Sequence, residues 1–147
     1  MQYLALPDMI LKLEMETLTY RPFHDKWSIK DYIAHLVKYQ LVFLDRMKMI
    51  LNEESPLIKP YKAEEDILFP EYQQRELLSL LETMRKDRIE LIEFIKGLKK
   101  NDVSRVGIHG NYGILTITEW TEFFLLHEAH HIFAIFKLTR AKLNLEI

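Results

Sequence analysis

The chain has 147 residues, 48% of them hydrophobic and 29% charged, with a formal charge of −2. That is enough for one domain with one real core, in the composition range of ordinary globular proteins. It has no cysteine, which excludes disulfides, thiolate metal ligands and a thiol nucleophile; any thiol chemistry would need a thiol brought by a substrate. A nucleic-acid partner would need a basic patch, and the loose group Lys96, Lys99, Lys100 and Arg105 reads instead as a solvated helix end.

The N-terminal MQYLALPDMILKLEMET has no basic region ahead of a long apolar run, so it does not read as a signal peptide. The first helix is expected over about residues 6–19, with a weak stripe of Met9, Leu13 and their neighbours, closed by Pro22. The second is expected over 29–51. Ser28 and Asp31 form a capping box at its start, and Trp27 with Tyr32 a hydrophobic staple. Its stripe runs through Ile29, Ile33, Leu36, Phe43, Leu44 and Met47.

The third helix is expected over 71–98, started by Pro70 and ended near Gly97, with Leu77, Leu81, Met84, Leu91, Ile95 and Leu98 along one side. Arg88 falls where that stripe wants an apolar residue. It either snorkels at the helix edge or points into a polar cavity. The fourth helix is expected over 117–141, with a second capping box (Thr116, Glu119) and a second staple (Leu115, Trp120). Its richest stretch, FFLLHEAHHIFAIF, is broken by three histidines and a glutamate, so it is no membrane span. A cytoplasmic location is the expectation. Strand signals are weak throughout. The connections 52–70, with three prolines, and 99–115, with three glycines, are long enough to be functional or to serve as crossovers.

Histidine on an apolar helix face needs a partner, because an unsatisfied buried polar group costs about 1–3 kcal/mol. At about 100° per residue, His127 and His131 lie about 40° apart, in the sector of Trp120, Phe124, Ile135 and Leu138. Their spacing stacks two imidazoles on one inward face, as in helical two-histidine metal sites, although hydrogen-bonded core histidines would give the same pattern. His130 lies on the rim and is a secondary candidate. His35, at the edge of the second helix's stripe, is ambiguous from pattern alone. His109 lies in the glycine loop, within reach of a pocket mouth, and His24 reads as surface. Three nitrogen ligands and one open position is the ordinary pattern of a catalytic site. We read HEAHH as one residue short of the zinc metalloprotease spacing, with Glu128 projecting about 100° from His127 and no general-base geometry.

Several short matches in order, Trp27-Ser28-Ile29, Ala34-His35-Leu36, Pro56-Leu57, Arg88, the run from Arg105 to Trp120, and His127-Glu128-Ala129-His130-His131-Ile132, run nearly end to end. Together they resemble the DinB/YfiT-like superfamily of metalloenzymes. The resemblance implies an all-α four-helix bundle of up-down-down-up type with long crossover connections, spanning 1–147 as one domain and often dimeric. It implies His35, His127 and His131 as ligands of a divalent metal, nickel or zinc. Two positions depart from the family pattern: Lys38 stands where many members have an acid, and Ala134 where many have glutamine.

The resemblance further implies a thiol-dependent S-transferase, in which a metal-bound thiolate from a low-molecular-weight thiol attacks a small electrophile. Arg88 and His109 would then position an anionic group or shuttle a proton. The alternatives are a metal-dependent hydrolase and a non-catalytic, stress-associated small-ligand binder or scaffold. The expected partners are a small-molecule substrate and a second copy of the chain, with neither nucleic acid nor membrane.

Overall fold

The structure is a computed structural model that describes residues 2–143; residues 1 and 144–147 of the expected domain lie outside the described residues. In chain order it has α1 (Leu6–Ile10), α2 (Met15–Thr19), α3 (Ile29–Asn52), β1 (Leu57–Ile58), α4 (Phe69–Gln74), α5 (Leu77–Lys96), α6 (Lys100–Val103), β2 (Val106–His109), β3 (Gly113–Thr116) and α7 (Ile117–Leu143). The N-terminal helices, α3, α5 and α7 form a four-helix bundle.

Both long capped helices start where the sequence places them. Ser28 Oγ accepts from the Asp31 N–H (3.1 Å), and the Ser28 N–H donates to Asp31 Oδ2 (2.9 Å). Thr116 and Glu119 repeat the exchange at 3.2 and 2.7 Å. The Trp27 and Tyr32 rings meet edge-on, with centroids 5.2 Å apart.

The first and third helices are not continuous as expected. Leu6 and Ile10 are buried on one face of α1, but Leu18 is buried too. On an unbroken helix Leu18 would stand about 80° from Ile10. An extended Glu14 breaks the chain and re-aims α2 so that both faces are covered. Likewise Phe69 and Tyr72 are buried on α4, and on an unbroken helix Leu77 would stand about 140° from Tyr72. Extended backbone at Arg75 and Glu76 corrects the direction. Beyond the break Leu77, Leu80, Met84, Arg88 and Leu91 are buried in sequence, so Leu80 is the fully buried residue and Leu81 packs beside it.

Helix directions follow from the cross-contacts. Leu80 and Met84 share a cluster with Ile33 and Leu36, Arg88 donates to Gln40, and Leu91 shares the other cluster with Phe43 and Met47, so numbers rise together and α3 and α5 run parallel. His35 meets His131, Tyr39 meets His127, and Phe43 meets Phe124, so α7 runs antiparallel to α3. A long crossover therefore joins α3 to α5.

Weak as the strand signals are, the two long connections carry a small three-stranded sheet. β1 pairs parallel with β2 (Ile58 opposite His109), and β2 pairs antiparallel with β3. Strands of two and four residues are too short to show a period, which is why the sequence hides them. The small sheet ties the two connections together and closes one end of the bundle. Gly107 permits the closure: a Cβ there would stand 2.8 Å from Ile50 Cγ1. Gly113, at φ +75°, makes the hairpin turn. Arg105 is no free cation, because it donates to the carbonyls of Ile50 and Glu53 at the end of α3. No helix among the described residues is long and apolar enough to cross a membrane.

Candidate metal centre

Two apolar clusters fill the bundle. One holds Leu6, Ile33, Leu36, Leu80, Met84 and Ile135, and the other Phe43, Met47, Ile50, Leu91, Trp120 and Phe124. The histidines lie where α3 and α7 pass from one cluster to the other. Each helix is amphipathic there, so its inward side chains meet those of its antiparallel neighbour at the same level.

His35 Nε2 lies 3.2 Å from His127 Nε2, and His131 Nε2 lies 3.1 Å from the same atom. The three offer one ligand atom each within 4.8 Å of one another. His127 Nε2 carries either one in-plane lone pair or one hydrogen, so it can make one good hydrogen bond and not two. Two nitrogens bound tetrahedrally to zinc at ~2.0–2.1 Å stand roughly 3.3 Å apart. The observed spacings thus fit a shared cation better than they fit hydrogen bonds. Burial, followed by the neighbouring imidazoles, pushes the pKa of His35 down to about 2. Burial first, then the charges of His131, Arg46 and His130, brings His127 to about 3, and burial with His130 brings His131 to about 4. All three are neutral near pH 7 and have lone pairs to give.

Aromatic rings hold the imidazoles in place. Tyr39 stacks on His127 at 3.8 Å, Tyr61 on His35 at 5.8 Å, and Trp27 lies 4.8 Å from His35. Packing replaces hydrogen bonding on the outer side: the Nδ1 atoms of His35, His127 and His131 are buried with no partner. Lys38 gives them none. Its Nζ lies 3.4 Å from Asp66 Oδ2, and Asp66 also accepts from the Tyr61 hydroxyl.

His35 is buried, whereas His127 and His131 are partly exposed, so the cluster opens on the α7 side. A groove of about 650 Å³ lies there, lined by Tyr112, Leu115, Phe123, Leu126, His127 and His130 among others. His130 is on the rim as expected, its ring 5.2 Å from that of His131.

The other sequence candidates fall outside the cluster. Arg88 neither snorkels nor faces an open cavity. It is buried, bonded through both terminal nitrogens to Glu128 and through Nε to Gln40 Oε1 at 2.6 Å. His109 backs the groove instead of opening into it. Its Nδ1 accepts from the N–H groups of Asn111 and Tyr112 (3.1 and 3.2 Å), and its ring packs on Tyr112, Phe123 and Trp120. His24 lies at the surface.

The reading of HEAHH needs correction. Histidine, glutamate, two residues and histidine is the spacing of the zinc metalloproteases. What separates this site from theirs is the direction of Glu128, whose carboxylate is committed to Arg88. Sequence reasoning missed Gln40, Arg46 and Glu128 as structural partners. Arg88 in an apolar stripe and Glu128 in the most apolar segment were the signals, each a charge that needed the other.

Fold and site together define a helical bundle with a three-histidine pocket open on one side. Comparison with known proteins gives the family and supports the fold. A family model described as the DinB superfamily matches residues 5–135, and the chain belongs to that superfamily. A protein of Oceanobacillus iheyensis named "Putative metal-dependent hydrolase" is 27% identical over 139 residues, covering 93% of this chain and 79% of its own. A protein of Halalkalibacterium halodurans with the same name is 28% identical over 130 residues, covering 87% and 72%. Among solved structures, YfiT from Bacillus subtilis superposes with a TM-score of 0.79 at 19% identity, over 95% of this chain and 81% of that one. It is described as "a probable metal-dependent hydrolase with an unusual four-helix bundle topology".

Proposed function

We propose that His35, His127 and His131 hold a divalent metal, zinc or nickel, through their Nε2 atoms, and that the protein is a metal-dependent hydrolase of a small substrate. The observation that carries this is the convergence of His35 and His131 on His127 Nε2, at spacings that suit a shared cation, where hydrogen bonding from that one atom could satisfy only one of the two neighbours. A bound divalent ion supplies Lewis acidity and lowers the pKa of a water it holds. The chain's own residues supply the rest. Trp27, Tyr39 and Tyr61 fix the imidazole rings and keep bulk water from their inner side. The groove beside His127 admits the substrate, with His130 on its rim.

Hydrolysis takes precedence over thiol transfer because the relatives' names support it, while nothing in the site calls for an external thiol. The test is turnover of p-nitrophenyl acetate and related activated esters and amides by metal-loaded protein, with and without added glutathione. The proposal expects thiol-independent turnover that chelation abolishes. Turnover only with thiol would favour the transferase. No turnover in either condition, with metal bound, would favour a small-ligand binder.

We also propose that the protein is a homodimer that works in the cytoplasm. Leu126 and Phe133 lie a heptad apart on α7, and both are exposed, as are Leu125 and Phe136 on the same helix. Such a patch is costly to leave in water. Light scattering should give twice the chain mass, and charged substitutions at Leu126 and Phe133 should halve it.

A further inference from the structure

Two arginines are taken almost wholly out of water, Arg88 at 4% exposure and Arg46 at 8%. Arg88 is neutralised by Glu128. Arg46 is not, since every ion pair of the described residues lies elsewhere. Its Nη1 donates to the Tyr39 hydroxyl at 2.8 Å and its Nη2 to the Lys59 carbonyl at 2.9 Å. Its guanidinium carbon stands 5.5 Å from the Tyr39 ring centre and 5.7 Å from that of Trp120. These contacts engage two of the five N–H groups an arginine carries. They fix the group in place but leave its unit charge uncompensated, an arrangement a fold seldom retains for stability alone.

Arg46 also lines a cavity of about 500 Å³ between α3 and the β1 connection. The rest of the lining is mostly apolar: Val42, Met49, Leu57, Ile58 and Pro60, with Tyr61 as one wall. Asp45 and Lys59 also reach the lining and offset each other in charge. Tyr61 stacks on His35 and Tyr39 on His127, so one aromatic layer separates this cavity from the histidine cluster.

We propose that Arg46 anchors an anion-binding subsite that takes an organic carboxylate with an apolar body. The planar fork of a guanidinium matches a carboxylate in two parallel hydrogen bonds. One uncompensated cation suits a monoanion better than a dianionic phosphate, and the apolar lining suits a hydrocarbon body. The subsite needs neither the metal nor a water on it, so it stands or falls apart from the hydrolase reading.

The test is calorimetric titration of the full chain, metal-loaded and metal-free, with hexanoate, hexanamide and inorganic phosphate. Hexanoate should bind saturably in both forms, with phosphate weaker and hexanamide absent. Arg46→Met keeps the apolar volume and should weaken hexanoate by roughly ten- to a hundredfold, the worth of a charge-assisted hydrogen bond. Three results would overturn the proposal: equal binding of hexanoate and hexanamide, hexanoate binding that disappears with the metal, or unchanged binding by a folded Arg46→Met protein. Phosphate binding tighter than hexanoate would overturn the choice of carboxylate. If Arg46→Met does not fold, the comparison of hexanoate with hexanamide on the unaltered chain still decides.

Discussion

Glu128 follows His127 in the chain but gives its carboxylate to Arg88 on α5, not to the imidazoles. Arg88 Nε in turn donates to Gln40, and Gln40 Nε2 donates to the Met84 carbonyl. One buried chain of polar contacts thus joins α3, α5 and α7 at the level of the histidine cluster. Glu128→Gln should leave the Arg88 cation uncompensated and cost about 3–5 kcal/mol of stability. Pairing Arg88→Met with Glu128→Leu should recover most of that loss. Urea unfolding checks both. If Glu128 were instead a general base, Glu128→Gln would abolish turnover and leave the unfolding midpoint where it was.

Acid should destabilise the metal-free protein over a defined window. His35, His127 and His131 have folded pKa values pushed down to about 2, 3 and 4, chiefly by burial. An unfolded histidine titrates near ~6.5. Above that pH neither state binds a proton at these positions, and their contribution to stability is fully present. As pH falls below about 6.5 the unfolded chain takes up protons that the folded chain refuses, and stability declines until the folded values are reached. Denaturant unfolding from pH 8 to pH 4 should show this decline. A His131→Phe variant should show a shallower one, and an identical slope would contradict the assignment.

The same neutrality governs metal retention. An ordinary histidine site loses its metal to protons as pH drops through about 6.5. Here proton competition begins only near the lowered values, so bound metal should persist to roughly pH 5. Equilibrium dialysis across pH 4.5–7.5 measures it. Release centred near pH 6.5 would mean the rings are hydrated and ordinary.

Gly107→Ala should lower the melting temperature, because its Cβ would meet Ile50 Cγ1 at 2.8 Å and Cδ1 at 2.9 Å. Overpacking of this kind costs about 1–3 kcal/mol. Trp120 Nε1, which donates to the Gly107 carbonyl at 3.4 Å, should report the shift as a change in tryptophan fluorescence.

The parts of the fold legible in the sequence were those written by local chemistry. Ser28 with Asp31, and Thr116 with Glu119, mark two helix starts because a capping box needs only residues three apart. His127 and His131 share a face because of the helical period alone. What stayed hidden depends on contacts far apart in the chain. The breaks at Glu14 and Arg75 serve the burial of Leu18 and Leu77 against other helices. The sheet of β1, β2 and β3 joins segments about fifty residues apart. Arg88 was visibly out of place, but nothing local named Glu128 as its partner. His35 was ambiguous by pattern and entered the expected ligand set through family resemblance; the structure then brings its Nε2 to 3.2 Å from His127.

The most direct test of the metal centre is elemental analysis of protein purified without chelator, for the unaltered chain and for His35→Ala, His127→Ala and His131→Ala. The account predicts close to one divalent ion per unaltered chain and its loss in each variant, with the helical content retained. Unaltered protein free of metal and no less stable than metal-supplied protein would contradict it, as would metal that survives removal of His127.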